Sequence, residues 1–544
     1  MAGKTREGTL IWQRLFRRFD GRESTLQRQL RDALLYAIQE HIIRPGQPIP
    51  SSRWLAAALG LSRTTVSIAL QQLCDGGTLV PRARSAYVVN PDMQAVQVRA
   101  PAARRALVEE PGRGSVDWSR RLQRDPAGMR NIVKPADWQS HPFPFIYGQF
   151  DATLFPYAQW RECALETLRK GNVAQWAPDH MDRDPDDLVE AIQRHLLPAR
   201  GIWAHRENIL VTAGAQQATF LIAQLLISPT TTVGIEDPGY PDARNTFAMH
   251  TRNLRLLPLD EHGLIVDTGL RGCELLYTTP SHQCPTMVTM PVQRRLALLE
   301  RAVQDDFVVI EDDHESELNH SGRPSPALKS LDNDGRVIYI GSLSKTLAHG
   351  LRLGYLVGPA ELVGQLRAMR RLMVRHPPTN NAHTAAVFLR LGHHESYVRR
   401  LNRVYRERAR TLRQAIAHHL PGARVATAVG GSGLWVRLEG DIDTSELAGR
   451  ALGSGVVIEA GEVFFGGGNP PANTVRMGFS SIDASRIDAG VKALAAHLNK
   501  SRTARSRLEP SVKRTDRSAA KAMGLPGTQK ISGSGTAAPK PVSR

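Results

Sequence analysis

The sequence predicts two unlike folds in one chain: a small three-helix domain near the N-terminus and a large α/β domain built on a mostly parallel sheet. Three observations predict this. Between residues 24 and 90, apolar residues recur at helical spacing in three short runs separated by Pro and Gly. From about residue 206, apolar β-branched runs alternate with helix-like runs, the pattern of a parallel sheet with helices on both faces. At 544 residues and 41% hydrophobic, the chain holds more than one domain and a sizeable core.

Formal net charge is +18, unevenly spread. Residues 1–90 carry 13 Lys/Arg against 6 Asp/Glu, and residues 500–544 carry 11 against 2. Basic ends around a near-neutral body point to a polyanion partner, foremost nucleic acid. Cys74, Cys163, Cys273 and Cys284 are scattered without a C-x-x-C pair, which fits a reducing cytoplasm. The first residues lack a charged segment followed by an apolar one, so no signal peptide is expected. No apolar run approaches a membrane span.

In the small domain, Leu26, Leu30, Leu34, Ile38 and Ile42 recur every four residues as one face of a helix. Arg44-Pro45-Gly46 stops it. Ser51 and Ser52 can cap a second helix through Leu55, Ala56 and Leu59, and Gly60 suits a left-handed turn. Ser62 then caps a third helix, with Val66, Ala69, Leu70 and Leu73 inward and Arg63, Thr64, Thr65 and Ser67 on the other side. Helix, glycine turn, helix with a polar and basic start is the helix-turn-helix arrangement, whose second N-terminus enters a major groove. Leu79-Val80 and Tyr87–Val89 read as a hairpin wing with Arg82 and Arg84 near its tip. The stretch RPGQPIPSSRWLAAALGLSRTTVSIALQQL is similar to the winged-helix domain of GntR-type regulators. That resemblance covers residues 24–90 and implies DNA contacts from Ser52, Arg53, Ser62, Arg63, Thr64, Thr65 and Ser67. The wing departs from it, with Arg84-Ser85-Ala86-Tyr87 where glycines are usual.

Residues 91–114 are rich in Ala, Arg, Pro, Glu and Gly and read as a flexible linker. Residues 116–139, with Trp118, Met129 and Trp138, read as an arm leading into the next domain.

In the large region each predicted strand is followed by a group with chemistry. After Ile209–Val211 comes Thr212-Ala213-Gly214-Ala215-Gln216-Gln217, a small turn opening a helix, where backbone N–H groups can meet phosphate. After Thr232–Ile235 comes Glu236-Asp237-Pro238-Gly239-Tyr240, and Tyr240 can stack on a flat ring. Leu275–Tyr277 leads to Thr279-Pro280-Ser281-His282-Gln283-Cys284-Pro285-Thr286. Val308–Ile310 leads to Glu311-Asp312-Asp313-His314, and three acids at a buried strand end demand a cation nearby. Val337–Ile340 leads to Gly341, Ser342, Ser344, Lys345 and Thr346, with Arg352 seven residues past the lysine. A lysine among small residues is placed to lose solvation, as a Schiff-base amine needs. The motif S-x-S-K-T alone is equally an ordinary surface loop.

A phosphate cradle, an aromatic, an acid cluster, a lysine and an arginine together fit pyridoxal phosphate. The order resembles fold-type I aminotransferases over residues 145–499, through TAGAQQA, EDPGY, TPSHQCPT, EDDHESE, SLSKTLAHGLRLGY and TVRMGFS. Behind a GntR-type winged helix, this is the architecture of the MocR/GabR family of bacterial regulators. The resemblance implies a PLP-binding effector domain over 115–499, with a large parallel-sheet lobe and a small α/β lobe, and a head-to-tail homodimer. It implies Lys345 as the Schiff-base lysine, Asp312 or Asp313 at the pyridine nitrogen, and Tyr240 over the ring. Gly214, Ala215, Gln216, Ser342, Ser344 and Arg352 would hold the phosphate, and Arg476 the carboxylate of an amino-acid or amine effector. Three departures from the aminotransferase pattern stand out: His314 for tyrosine, Cys284-Pro285-Thr286-Met287 for N-P-T-G, and Ala215 for a hydroxyl residue. Three readings follow: a cytoplasmic DNA-binding regulator that senses an amine, a working aminotransferase with an accessory DNA-binding domain, and a DNA-binding protein whose C-terminal domain has lost the cofactor and only dimerises. Residues 500–544, rich in Ser, Arg, Lys, Pro and Gly, read as a disordered basic tail.

Overall fold

The computed structural model describes residues 12–16, 19, 25–40, 42–82, 86–92, 116–320 and 325–508, with side chains as far as 498. It divides into two compact units, Met1–Arg121 and Leu122–Arg544, where sequence composition put a linker at 91–114 and the start of the large domain at 115.

The first unit has helices α1 (Leu26–Gln39), α2 (Ser52–Leu59) and α3 (Arg63–Asp75) and an antiparallel hairpin of β1 (Leu79–Arg82) and β2 (Ala86–Val89). Its core joins Leu30, Leu34, Ile38, Leu55, Val66, Leu70, Leu73, Leu79 and Val89. Leu26 and Ile42, expected on the inward face, are about half exposed. A strict four-residue spacing drifts round a helix of 3.6 residues per turn, so only the middle of the stripe faces inward. Ile42 also lies beyond the C-cap at Glu40. Ser51 rather than Ser52 caps α2, its Oγ accepting from the Trp54 N–H at 3.2 Å. Gly60 closes α2 at φ 68°, where a side chain is strained. Ser62 Oγ accepts from the Thr65 N–H at 3.0 Å and so starts α3.

In the second unit β3 (Ile209–Thr212), β4 (Val233–Asp237), β5 (Leu254–Asp260), β6 (Gly263–Leu264), β7 (Leu275–Thr278), β8 (Val308–Asp312), β9 (Val337–Ser342) and β10 (Gly354–Val357) form one sheet. Its order is β3-β10-β9-β8-β7-β4-β5-β6. The run β9-β8-β7-β4-β5 is parallel; β10 is antiparallel to both its neighbours, and β6 to β5. Side chains alternate between faces. Ile338, Ile340, Ile310 and Ile235 pack with Ala218, Leu221 and Ile222 of α4 (Ala215–Leu226). Val337, Val309 and Leu276 pack with Leu298, Leu299 and Ala302 of the helix Val292–Gln304 on the other face.

The small lobe holds an antiparallel sheet of β11 (Arg424–Val425), β12 (Gly433–Arg437), β13 (Glu459–Ala460) and β14 (Thr474–Gly478), in the order β11-β12-β14-β13. The last helix, Ala484–Leu508, runs past residue 499, where the basic tail was expected to begin. Its added turns contain no Pro or Gly. Residues 509–544 of that tail, 93–114 of the linker and the wing tip 83–85 lie outside the described residues. Among the described residues no helix is long and apolar enough to cross a membrane.

Candidate functional site

The carboxyl ends of β3, β4, β7, β8 and β9 lie on one edge of the sheet, where an open α/β sheet binds its ligands. There Lys345, Asp312, Tyr240, Ser342, Ala215, Gln216 and Arg476 line one cavity of about 290 Å³. Buried β9 delivers the lysine, and its loop is tied down by Ser344. The Ser344 hydroxyl donates to the Leu353 carbonyl and accepts from the Leu353 N–H, both at 3.1 Å. Ser344 is thereby committed within the loop, and, of the residues expected at the phosphate end, neither it nor Gly214 nor Arg352 lines the cavity.

The three acids at the end of β8 divide between two sides, Glu311 and Asp313 away from the cavity and Asp312 toward it. Glu311 accepts from the N–H groups of Leu328 and Lys329 at 2.7 and 2.8 Å. Asp313 accepts from Arg200 Nε at 2.7 Å and from the Tyr339 hydroxyl at 2.8 Å. Burial opposes ionisation of Asp313, but Arg200 and the hydroxyls around it outweigh that and hold the carboxyl below its ordinary range. The required cations are Arg200 beside Asp313 and Arg295, 3.8 Å from Glu311. Asp312 alone faces the cavity. Its Oδ2 accepts from the Tyr277 hydroxyl at 2.6 Å, while its Oδ1 is buried without a hydrogen bond. Such an acceptor is costly unless a ligand satisfies it. Of the two aspartates the sequence left open, only Asp312 has this geometry.

At the other end, Gly214 precedes α4 at φ 83°. A Cβ there would lie 2.9 Å from Arg352 Nη2, so only glycine lets the guanidinium cross the helix start. Arg352 is exposed and donates to the Ala213 carbonyl at 3.0 Å. The first N–H groups of a helix have no acceptor within it, which makes this an anion cradle beside an arginine. Gln216 Nε2 donates to Thr246 Oγ1 at 3.2 Å. The Tyr240 hydroxyl donates to Asp242 at 2.7 Å.

Glu236 joins two of the sequence motifs: its carboxylate accepts from Thr279 Oγ1 at 2.7 Å and Gln283 Nε2 at 3.1 Å. That fastens the loop carrying Cys284. Burial pushes the Cys284 thiol up to about 12, against the pull of Arg476 and Lys345, so a neutral thiol stands in the cavity wall.

Arg476 is fully buried on β14 beside Glu459, its partner in the ladder. Its Nε donates to Glu459 Oε2 at 2.7 Å, and its guanidinium lies 4.2 Å from the Tyr147 ring and 4.4 Å from the Phe464 ring. Sequence reasoning missed Ile132, Lys134, Tyr147, Thr219, Asp242 and Glu459 around this space. None belongs to a motif, and Lys134 stands on the arm, far in sequence from the strands. The proximity of Phe145 to the start of the aminotransferase-like pattern was the one signal pointing toward Tyr147.

In the first unit Arg53, Ser62, Arg63, Thr64 and Ser67 are exposed, and Ser52 and Thr65 are half-buried. They stand at the start of α2 and along the outer side of α3. Ile68, also exposed on α3, was not anticipated there.

Residues 159–494 match the family described as aminotransferase class I and II, and residues 26–89 match the bacterial regulatory proteins of the gntR family. The HTH-type transcriptional regulator TauR of Rhodobacter capsulatus is 39% identical over 480 residues, 88% of this chain and 97% of its own length. The chain belongs to the MocR-type family of HTH transcriptional regulators. This MocR-type regulator is also 28% identical to the probable rhizopine catabolism regulatory protein MocR of Rhizobium meliloti, over 86% of the chain and 93% of that protein. Its large unit resembles the kynurenine aminotransferase of Pyrococcus horikoshii, solved with PMP, at TM-score 0.64 and 27% identity, covering 71% of this chain and 98% of that one. LysN of Thermus thermophilus, complexed with N-(5'-phosphopyridoxyl)-L-leucine, gives TM-score 0.64 and 27% identity over 72% and 100%. Pyridoxal phosphate is the cofactor of this fold, and the MocR-type regulator has residues that fit it: an unsatisfied Asp312 oxygen, a lysine, and an anion cradle beside an arginine.

Proposed function

We propose that the MocR-type regulator binds promoter DNA through α3 and uses the large unit to sense a small amine or amino acid. The observation that carries this is one cavity shared by Lys345, the carboxylate of Asp312 with its unsatisfied Oδ1, and Arg476. Pyridoxal phosphate supplies an aldehyde that condenses reversibly with primary amines. Lys345 holds that group and is the amine with which a ligand competes. Asp312 keeps the pyridine nitrogen protonated. Gly214, Ala215, Gln216, Ser342 and Arg352 hold the phosphate, and Tyr240 covers the ring. Arg476 takes the ligand's acid group with the outer edge of its guanidinium. Binding favours one arrangement of the two lobes, and that preference is passed to the DNA-binding domain as a coupling free energy. The protein works in the cytoplasm as a head-to-tail homodimer on paired half-sites.

Loaded protein should show a visible absorption band that disappears in Lys345→Ala. A band unchanged in that variant counts against the cofactor assignment. A working aminotransferase is the second reading, favoured by the joint presence of Lys345, Asp312 and Arg476 in one space. Sustained 2-oxo acid formation from an amino donor supports that reading, and spectral change without product supports sensing.

A further inference from the structure

The arm that precedes the large lobe contributes a cation to the effector end of the cavity. Lys134 is half-buried in the cavity wall. Its Nζ donates to the Tyr147 carbonyl at 2.9 Å and stands 3.4 Å from Glu459 Oε1. The other oxygen of Glu459 accepts from Arg476 Nε at 2.7 Å and from the Tyr147 N–H at 3.4 Å. One carboxylate therefore stands between two cations. Arg476 is clamped between Tyr147 and Phe464, and among the described residues its Nη1 meets just the weak Cys284 Sγ acceptor, at 3.8 Å. Burial lowers the pKa of Lys134 first; Glu459 raises it, and Arg476 and Lys345 lower it again. Ile132, on the same arm, packs against Trp435, Phe464 and Cys284 and gives this corner an apolar wall. An excess positive charge in a half-dry corner calls for an anion.

We propose that Lys134 is a second effector-binding residue, which together with Arg476 grips one acidic head group on a small amine. The assignment rests on the sensing function proposed above and deepens it. Arginine offers a planar fork and lysine an adaptable point charge, so a carboxylate or a sulfonate meets the same pair. Glu459 holds both cations in place while the site awaits its ligand. Because Lys134 stands between the linker and the lobe in the chain, gripping the acid group also draws on the segment that leads to the DNA-binding domain.

The test uses full-length, cofactor-loaded protein and calorimetric titration with matched amines. These are 4-aminobutanoate, 3-aminopropane-1-sulfonate and their headless counterpart propylamine, and L-alanine with its headless counterpart ethylamine. In the wild type at least one acid should bind about tenfold or more tightly than its headless amine, as charge-assisted hydrogen bonds imply. Lys134→Met should erase about tenfold of that preference while leaving the headless amine within about twofold, and Lys134→Arg should restore it. The carboxylate and sulfonate arms show which head the pair prefers. Lys134→Met should also keep DNA affinity without ligand and lose the shift the acid causes. The proposal is overturned if Lys134→Met weakens acid and amine alike, if it leaves the preference intact, or if no acid outbinds its headless amine. A visible band that answers to none of these amines sinks the sensing reading itself, and the proposal with it.

Discussion

Asp312 and Asp313 are adjacent and chemically identical, yet the fold gives them opposite work. Strand alternation turns one toward the cavity and the other toward Arg200. Asp312→Ala should abolish the visible band and cost about 1–2 kcal/mol, since the buried Tyr277 hydroxyl loses its acceptor. Arg200→Met should instead destabilise the fold by about 3–5 kcal/mol, because it leaves a buried carboxylate unpaired; urea unfolding separates the two. The motif was legible in the sequence, but the register was not, since which aspartate turns inward depends on the pleat and on an arginine more than a hundred residues away. Ser344 shows the same limit: a hydroxyl beside the lysine looks like a phosphate ligand until the loop's own hydrogen bonds are known. Buried histidines add a pH dependence. Burial pushes His282 and His320 down to about 4 each, below the unfolded value of about 6.5. Between those values the unfolded chain binds more protons, so stability is full above about pH 6.5 and falls as pH drops toward 4. The urea midpoint should fall steeply from pH 7 to 5, and less steeply in His282→Asn; equal slopes would contradict the buried neutral imidazole.

At the scale of elements, the two helix starts of the first unit are separable from the exposed face proposed to meet DNA. Ser62→Ala removes the cap of α3 and should cost about 1 kcal/mol in thermal unfolding. Gly60→Ala places a side chain in a left-handed turn and should cost about 1–2 kcal/mol. Arg63→Ala, an exposed position, should leave stability alone and weaken binding to the gene's own upstream DNA in a mobility shift; unchanged binding would contradict α3 as the reading helix. Helices α2 and α3 and five strands of the large sheet were legible because caps, Gly60 and unbroken β-branched runs are local signals. Strands β5, β6 and β10 were not foreseen. Four-residue β10 follows directly on the lysine motif, and its antiparallel insertion between β3 and β9 is a choice made by the whole sheet.

At the scale of the whole molecule, the chain joins a basic DNA-reading unit to an aminotransferase-like unit of the MocR-type family. The uneven charge predicts DNA affinity that falls steeply with salt. If the large unit senses amines, an amine arriving at Lys345 alters DNA binding. The direct measurement is fluorescence anisotropy of full-length, cofactor-loaded protein on its own upstream DNA, titrated with a panel of α- and ω-amino acids, in wild type and Lys345→Ala. At least one amine should shift the wild-type DNA affinity by about 5-fold or more, while Lys345→Ala should bind the same DNA and not respond. An equal response in both proteins, or none in either across the panel, would contradict it.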